Sequence, residues 1–449
     1  MLKRLRMSRE EFSEFSSMYI PMFVEQVLMS GITMYITTVV KGSGMQAVAA
    51  VNLLTVLAML FQQVFSAMGV GVTVVIAQFR GRGDSTATGS AASQSMVLVV
   101  LISLCVSLGC YIFIDPLLAM VLQNSEPLVY TYGKVYLSYY IFSLPFIAIY
   151  MVAAAALRGS GHPRISLWVT LIKNGTYAAT ASASVYLLNA GLEGVGISLL
   201  ASSALAAAVG LVLLWRGNAN MKIQRLQLKI QRSVVQPVFR VGAPLLLEFF
   251  FFQGGRLITQ AFAVSYGTMA MAANGIANNI HTFAVVPGMA VANAAQAIVS
   301  RYCGQGDLDG AKRKGEQLLL ISAMLVTLSS LITWLVLNPL TSLMTDVPEV
   351  QKQVYMIISS SCIAVPLIWA NSFVTPAILR SSGDGKFASL VCTASMLLMR
   401  ITTGYILARV LNIGIIGIWL AMYGDWLVRL IFFYPRFKSG KWLQFKVLD

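Results

Sequence analysis

The sequence predicts an all-α polytopic membrane protein, with twelve transmembrane helices in two pseudo-symmetric six-helix bundles. Three observations predict it. Of 449 residues, 57% are hydrophobic and only 11% are charged, where a soluble domain carries about 25% charged residues. Apolar runs of helical length recur twelve times between short polar breaks. The second half of the chain repeats the first. So low a charged share cannot cover a water-facing surface, which excludes a soluble enzyme and a disordered chain. A mean hydropathy of +0.75 agrees.

The runs lie near residues 15–40, 46–77, 90–114, 130–157, 165–188 and 194–215, then 236–264, 270–300, 316–338, 352–379, 387–410 and 414–435. Each span needs about 20 apolar residues, so twelve leave room for short loops and no separate soluble domain. Polar clusters such as Gly81-Arg-Gly-Asp84 and Asp115-Pro116 mark breaks. The expected organisation is an N-terminal bundle over 1–215, a basic cytoplasmic linker over 216–240, and a C-terminal bundle with a basic tail over 241–449. The linker carries Arg216, Lys222, Arg225, Lys229, Arg232 and Arg240 and no acid. Its Ile223, Leu226, Leu228 and Ile230 suit an element lying on the membrane surface, or a solvated loop held near anionic lipid.

The net charge of +15 would suggest nucleic acid in a soluble protein. Here its distribution argues otherwise. With twelve spans both termini share one side, and that side holds 24 of the 32 Lys and Arg. The opposite loops hold four: Lys41, Lys134, Lys352 and Arg409. Basic residues collect in cytoplasmic loops, so both termini are expected in the cytoplasm and no nucleic acid is expected as a partner. The five scattered cysteines, with no CxxC, read as small apolar fillers. The basic N-terminus runs into Glu10, Glu11 and Glu14, and no cleavable signal peptide is expected.

The repeat appears at an offset of 223 residues, which lays Pro21 on Pro244, Glu25 on Glu248, and Gly81-Arg-Gly-Asp84 on Gly304-Gln-Gly-Asp307. After a one-residue shift, Leu157-Arg158-Gly-Ser160-Gly161 falls on Leu379-Arg380-Ser-Ser382-Gly383. Six spans per half is an even number, so both halves keep one orientation across the membrane. Two such bundles related by an axis along the membrane normal are the architecture of secondary transporters. No ATP-binding glycine loop appears, so the expected energy source is an ion gradient. Enzyme readings fare badly: there is no HExxH, no Gly-x-Ser-x-Gly, and two histidines in all.

The chain resembles the multidrug and toxic compound extrusion (MATE) family in its Gram-positive bacterial form. Three stretches carry the resemblance: Ala156-Leu-Arg-Gly-Ser-Gly161; Pro287-Gly288 through Ala294-Ala-Gln296 to Gly304-Gln-Gly-Asp307; and Trp419, Asp425-Trp426, Arg429, Arg436-Phe437 and Ser439-Gly-Lys-Trp442. The resemblance implies two six-helix bundles forming a V, and efflux of small organic compounds across the cell (cytoplasmic) membrane in exchange for sodium ions or protons. The protein would work as a monomer in contact with membrane lipid, without any other cofactor. The alternative reading is a flippase of lipid-linked oligosaccharides from the same broad superfamily. The sequence also departs from the family pattern. The second half of helix 1, Val27 to Val40, contains no acid, and neither does Ser359 to Leu379 on helix 10, where Asn371 offers only a neutral oxygen.

Three acids fall within spans: Glu25, Glu248 and Asp425. A bare charge at mid-membrane costs about 2.5–3.5 kcal/mol on insertion scales, so such a group faces a cavity or a partner. A carboxylate there can hold a proton or a metal cation in turn, which is the chemistry an antiporter needs. Glu248 is the leading candidate for coupling, Glu25 its counterpart in the first half, and Asp425 the third. Each has a bland alternative, a cross-link within its own bundle, and Asp425 can simply pair with Arg429 at i, i+4. Candidates for a substrate cavity are Asn274, Asn278 and His281, which share a face of helix 8, with Gln253, Asn174 and Asn371. Interhelical hydrogen bonding explains these residues equally well. Lys173, Arg256 and Arg400 also fall within spans. In a cavity they would repel cationic compounds and favour anionic or zwitterionic ones; pairing with the acids, or snorkelling to an interface, explains them as well.

Overall fold

The computed structural model describes residues 7–122, 125–217 and 231–448. Most of the basic linker, including Lys222, Ile223, Arg225, Leu226, Leu228, Lys229 and Ile230, lies outside the described residues.

Twelve long helices run through the described residues: α1 (Arg9–Lys41), α2 (Met45–Gly81), α3 (Ser85–Ile112), α4 (Pro127–Gly159), α5 (Pro163–Ser182), α6 (Gly191–Arg216), α7 (Arg232–Val264), α8 (Thr268–Gln305), α9 (Leu308–Leu335), α10 (Pro348–Ser382), α11 (Gly385–Val410) and α12 (Ile415–Lys438). Each expected run falls on one of them. Within a bilayer every backbone polar group must bond internally, and a helix satisfies them all within one segment. Eleven of the twelve are long and apolar enough to cross a membrane. The other, α5, carries Lys173 and Asn174 and continues through a π-helical turn, Ala183–Leu187.

Two short helices, Ile114–Leu122 and Leu337–Met344, were not expected. Asp115-Pro116 reads as a break, but proline is tolerated in a first helical turn, and Pro116 and Pro339 both sit there. The first of these helices buries Ile114, Leu118 and Leu122, spaced i, i+4, i+8, in a cluster with Leu54, Leu57, Leu137 and Ile141.

The chain packs as two compact units. One comprises 20–242; the other comprises the described residues up to Tyr19 together with 243–448. The first eleven residues of α1 thus pack with the C-terminal helices, where Glu11 pairs with Lys314 at 2.7 Å and Glu14 with Arg301 at 2.6 Å. The first turns of α7, which begins inside the 216–240 segment, pack with the N-terminal helices, where a Cβ on Gly71 would lie 2.5 Å from the carbonyl oxygen of Val238. Small residues allow such close approach.

The paired Gly-x-Gly-Asp loops have one structure. Gly83 and Gly306 adopt φ of +75° and +76°, the left-handed conformation that glycine takes without Cβ strain. The amide of Asp84 bonds the Phe79 carbonyl and that of Gly83 the Arg80 carbonyl; Asp307 and Gly306 do the same with Tyr302 and Cys303. Both are Schellman endings. Gly81 and Gly304 need no unusual backbone, because each lies in the last turn of its helix. The aspartates cap the next helices: Asp84 Oδ1 accepts from the Ala87 amide and Asp307 Oδ1 from the Gly310 amide, both at 2.8 Å. Asp84→Ala and Asp307→Ala are each expected to lower stability by about 1 kcal/mol, measured by thermal unfolding, with substrate preference unchanged. A shifted substrate profile at normal expression would contradict this.

Candidate functional site

Glu25 and Glu248 each stand four residues after a helical proline, on α1 and α7. In the N-terminal unit, Nη1 of Arg158 donates to Oε1 of Glu25 at 3.1 Å. The Thr170 hydroxyl donates to the same oxygen at 3.1 Å, and Ser166 Oγ also accepts from Arg158 at 3.3 Å. In the C-terminal unit, Nη2 of Arg380 donates to Oε2 of Glu248 at 2.5 Å. Glu25 and Arg380 are buried, at 8% and 6% exposure.

The two arginines belong to the paired Leu-Arg-x-Ser-Gly motifs, which explains both the motif and the pairing. Gly161 and Gly383 take φ of +86° and +109° and end the helices. The amides of Gly161 and His162 bond the carbonyls of Arg158 and Leu157; those of Gly383 and Asp384 bond Arg380 and Leu379. The serine hydroxyls reach the same leucine carbonyls, at 3.1 Å for Ser160 and 3.0 Å for Ser382. With the glycine and serine closing the helix end, the arginine is free to turn back to the acid of the repeat's first helix. Sequence reasoning had the acids and the arginine motifs but did not join them.

Asp425 is fully buried and holds Arg429 with both oxygens at 3.0 Å; Arg429 also donates to Ser395 Oγ at 3.1 Å. The Arg429 guanidinium lies over the rings of Phe373 and Phe252. One run of four phenylalanines, 249–252, thus contributes a ring to this cluster.

The substrate candidates do not form one group. Asn274 and Asn278 line a cavity of about 350 Å³ inside the C-terminal unit, with Arg256, Gln260, Arg400 and Trp419. Asn278 Nδ2 donates to the Asn274 carbonyl at 2.8 Å, and Trp419 Nε1 donates to Asn274 Oδ1 at 3.0 Å. His281 lies beside the cavity rather than in its wall. Its ring is edge-on to Trp419 and stacked on Trp426, and Nδ1 meets Ser361 Oγ at 2.9 Å. Gln253 lies one turn before Arg256 and outside the cavity wall. Asn371 lines a separate recess of about 510 Å³ with Glu316, Tyr434 and Lys438. Asn174 is in the other unit, buried, its Nδ2 without a partner. Nearby on α5, Lys173 stands over the Tyr150 ring at 5.4 Å. Gln260 was missed, although Arg256, Thr259 and Gln260 share one face of α7 at i, i+3, i+4, a pattern open to sequence reading. Among the described residues no three His, Cys, Asp or Glu gather as a metal site would.

A helical chain whose spans bury paired acids and arginines, and whose interior holds a polar cavity, has the make-up of a membrane transporter. Residues 21–181 and 244–406 match the MatE family model, once in each half, and the chain belongs to that family. It is 26% identical over 356 residues to the uncharacterized transporter YisQ of Bacillus subtilis, covering 76% of this chain and 77% of that one. It is 23% identical over 355 residues to the probable multidrug resistance protein NorM of Thermotoga maritima, covering 75% and 73%. Among solved structures, a MOP superfamily transporter from Pyrococcus furiosus is similar over 98% of both chains, with a TM-score of 0.86 at 17% identity. A MATE transporter in complex with MaL6 gives a TM-score of 0.87 at 17% identity, over 98% of this chain and 99% of that one. At such identity the likeness is one of fold.

Proposed function

We propose that this chain is a secondary active antiporter that exports small organic compounds across the cytoplasmic membrane in exchange for sodium ions or protons. The observation that carries the reading is the acid–arginine pair repeated in both halves. An acid held in the membrane by one arginine is neutralised locally, and a proton or Na+ can take the arginine's place. Occupancy by the ion then alters the contacts between the first and fourth helices of a repeat. Relatives named for multidrug resistance and multidrug export support organic compounds as cargo. Glu248 is the primary coupling group in this reading, and Glu25 the secondary one. The protein acts as a monomer, with both termini in the cytoplasm.

The direct test is transport by the purified protein in proteoliposomes, with a sodium or a proton gradient imposed singly. Export driven by one gradient and abolished by its collapse is expected. Substrate that equilibrates at the same rate under every gradient would overturn antiport. Orientation is tested by a single cysteine at Lys441 in a cysteine-free background. An impermeant reagent added outside intact cells is expected to leave it unlabelled, and labelling it from outside would overturn the placement.

A further inference from the structure

We propose that the cavity inside the C-terminal unit is an organic-anion site. It takes a compound with a carboxylate, sulfonate or phosphate on an aromatic body, bound through Arg256 and Arg400. The proposal rests on the export reading for its purpose, and names the class of compound carried.

Three other arginines in or at the ends of the spans are each matched to an acid: Arg158 to Glu25, Arg380 to Glu248 and Arg429 to Asp425. Arg256 and Arg400 differ. Both line the cavity, and among the described residues no carboxylate shares its wall. Among the described residues neither makes an ion pair, and the Nε of Arg400 is buried with no hydrogen-bond partner. Asp425, one turn beyond Met422 of the cavity wall, attracts Arg400 through space but bonds Arg429 with both oxygens, so one carboxylate faces two guanidinium groups. Guanidinium groups stay charged at any physiological pH, and uncompensated charge within a membrane is costly. An anionic guest supplies the missing countercharge; a cationic guest would add a third positive charge.

The rest of the wall fits the same guest. The Trp419 indole and the Asn278 amide both donate to Asn274, which fixes its side-chain oxygen as an acceptor and leaves its nitrogen as a donor. Arg400 is steadied over the Phe252 ring at 5.7 Å, and it lies in a π-helical turn, Ser395–Ile401, a deviation that recurs at functional sites. Planar guanidinium forks match the oxygens of carboxylate, sulfonate or phosphate. Trp419 and Met422 offer apolar surface for a ring, and the volume suits a small organic molecule.

The test is a titration of the purified full chain, in nanodiscs, with two xanthene dyes of opposite charge, followed by fluorescence anisotropy. Anionic 6-carboxyfluorescein is expected to bind, and cationic rhodamine 6G to bind more weakly. Arg256→Gln and Arg400→Gln are each expected to weaken carboxyfluorescein roughly ten- to a hundredfold, the loss of a charge-assisted contact. The lysine variants at the two positions keep the charge and are expected to recover part of the affinity, which separates loss of the site from loss of folding. Arg409→Gln removes one charge from the end of the same helix, α11, and is expected to leave binding unchanged. Running the titration in phosphatidylcholine and again in phosphatidylglycerol separates two sources of the anion. Dye displaced in phosphatidylglycerol alone identifies a net-anionic lipid headgroup as the guest; dye retained in both identifies a soluble anion. No carboxyfluorescein binding, or binding indifferent to both glutamine variants, or rhodamine preferred over carboxyfluorescein, overturns the proposal. Arginine-dependent binding with no gradient-driven transport would leave the anion site standing and sink the export reading. Gradient-driven export of rhodamine without carboxyfluorescein binding would do the reverse.

Discussion

Glu248→Gln is expected to abolish gradient-driven efflux while the protein still reaches the membrane and still binds substrate. Glutamine keeps the size of the side chain and removes the group that a proton or Na+ can occupy. Coupling free energies between two ligands typically run about 1–3 kcal/mol, so loss of the carboxylate should erase a roughly five- to 150-fold effect of the ion on substrate affinity, and the gradient-driven efflux with it. The substitution also leaves Arg380 buried without its acid, and its Nε already has no partner. Some loss of stability is therefore expected from the single variant, and the double variant Glu248→Gln with Arg380→Gln should regain it. Efflux must stay lost in the double variant if Glu248 couples the ion. If efflux returns together with stability, the pair is a cross-link and nothing more. Glu25→Gln should have a weaker effect of the same kind. Glu25 is held by Thr170 as well as Arg158, both at 3.1 Å. The repeat that joins Arg158 to Arg380 places Cys392 opposite Thr170, and a thiol is a poor donor. Glu25 is thus shared between two donors at 3.1 Å, while Glu248 is held by Arg380 at 2.5 Å.

The fold was legible because the membrane constrains a sequence so strongly. Long apolar runs give spans, and their order with the basic residues gives a consistent alternation. The repeat was legible for a different reason. Glycine in the left-handed region at Gly83, Gly161, Gly306 and Gly383 cannot be replaced cheaply, so the loops keep their letters while the apolar helices drift. The short helices at Ile114–Leu122 and Leu337–Met344 were hidden by Pro116 and Pro339, which mark a break and a first helical turn alike. Pairing across helices was hidden for another reason. Arg158 is 133 residues from Glu25, and Arg380 is 132 from Glu248, far beyond any local spacing rule. The near-equality of the two separations was nevertheless readable, since a repeat must make the same contact twice. The Asn274–Asn278 spacing placed both residues on one face and in one cavity wall. Nothing on α8 could show that Arg256 of α7 and Arg400 of α11 complete that wall, because the packing of three helices decides it.

Asp425→Asn is expected to cost about 3–5 kcal/mol, the penalty for leaving one member of a buried ion pair alone. Asp425 is fully buried and Arg429 nearly so, and two parallel hydrogen bonds of 3.0 Å join them. Asparagine keeps one acceptor oxygen but carries no countercharge, so the guanidinium remains between Phe252 and Phe373 with its charge uncompensated. Ser395 cannot compensate, because its hydroxyl is neutral and also donates to the Cys392 carbonyl. The double variant Asp425→Asn with Arg429→Met removes both charges and keeps an unbranched apolar side chain between the two rings. Replacing a buried pair by apolar packing is often neutral or better, so its thermal stability should return to within about 1 kcal/mol of the parent. The same double variant separates structure from coupling. If it is stable and still exports under a gradient, Asp425 serves to hold α12 in the bundle and Glu248 keeps the coupling role. If it is stable and export is lost while Glu248→Gln still exports, Asp425 is the coupling acid, and Arg429 is the group whose contact the ion replaces.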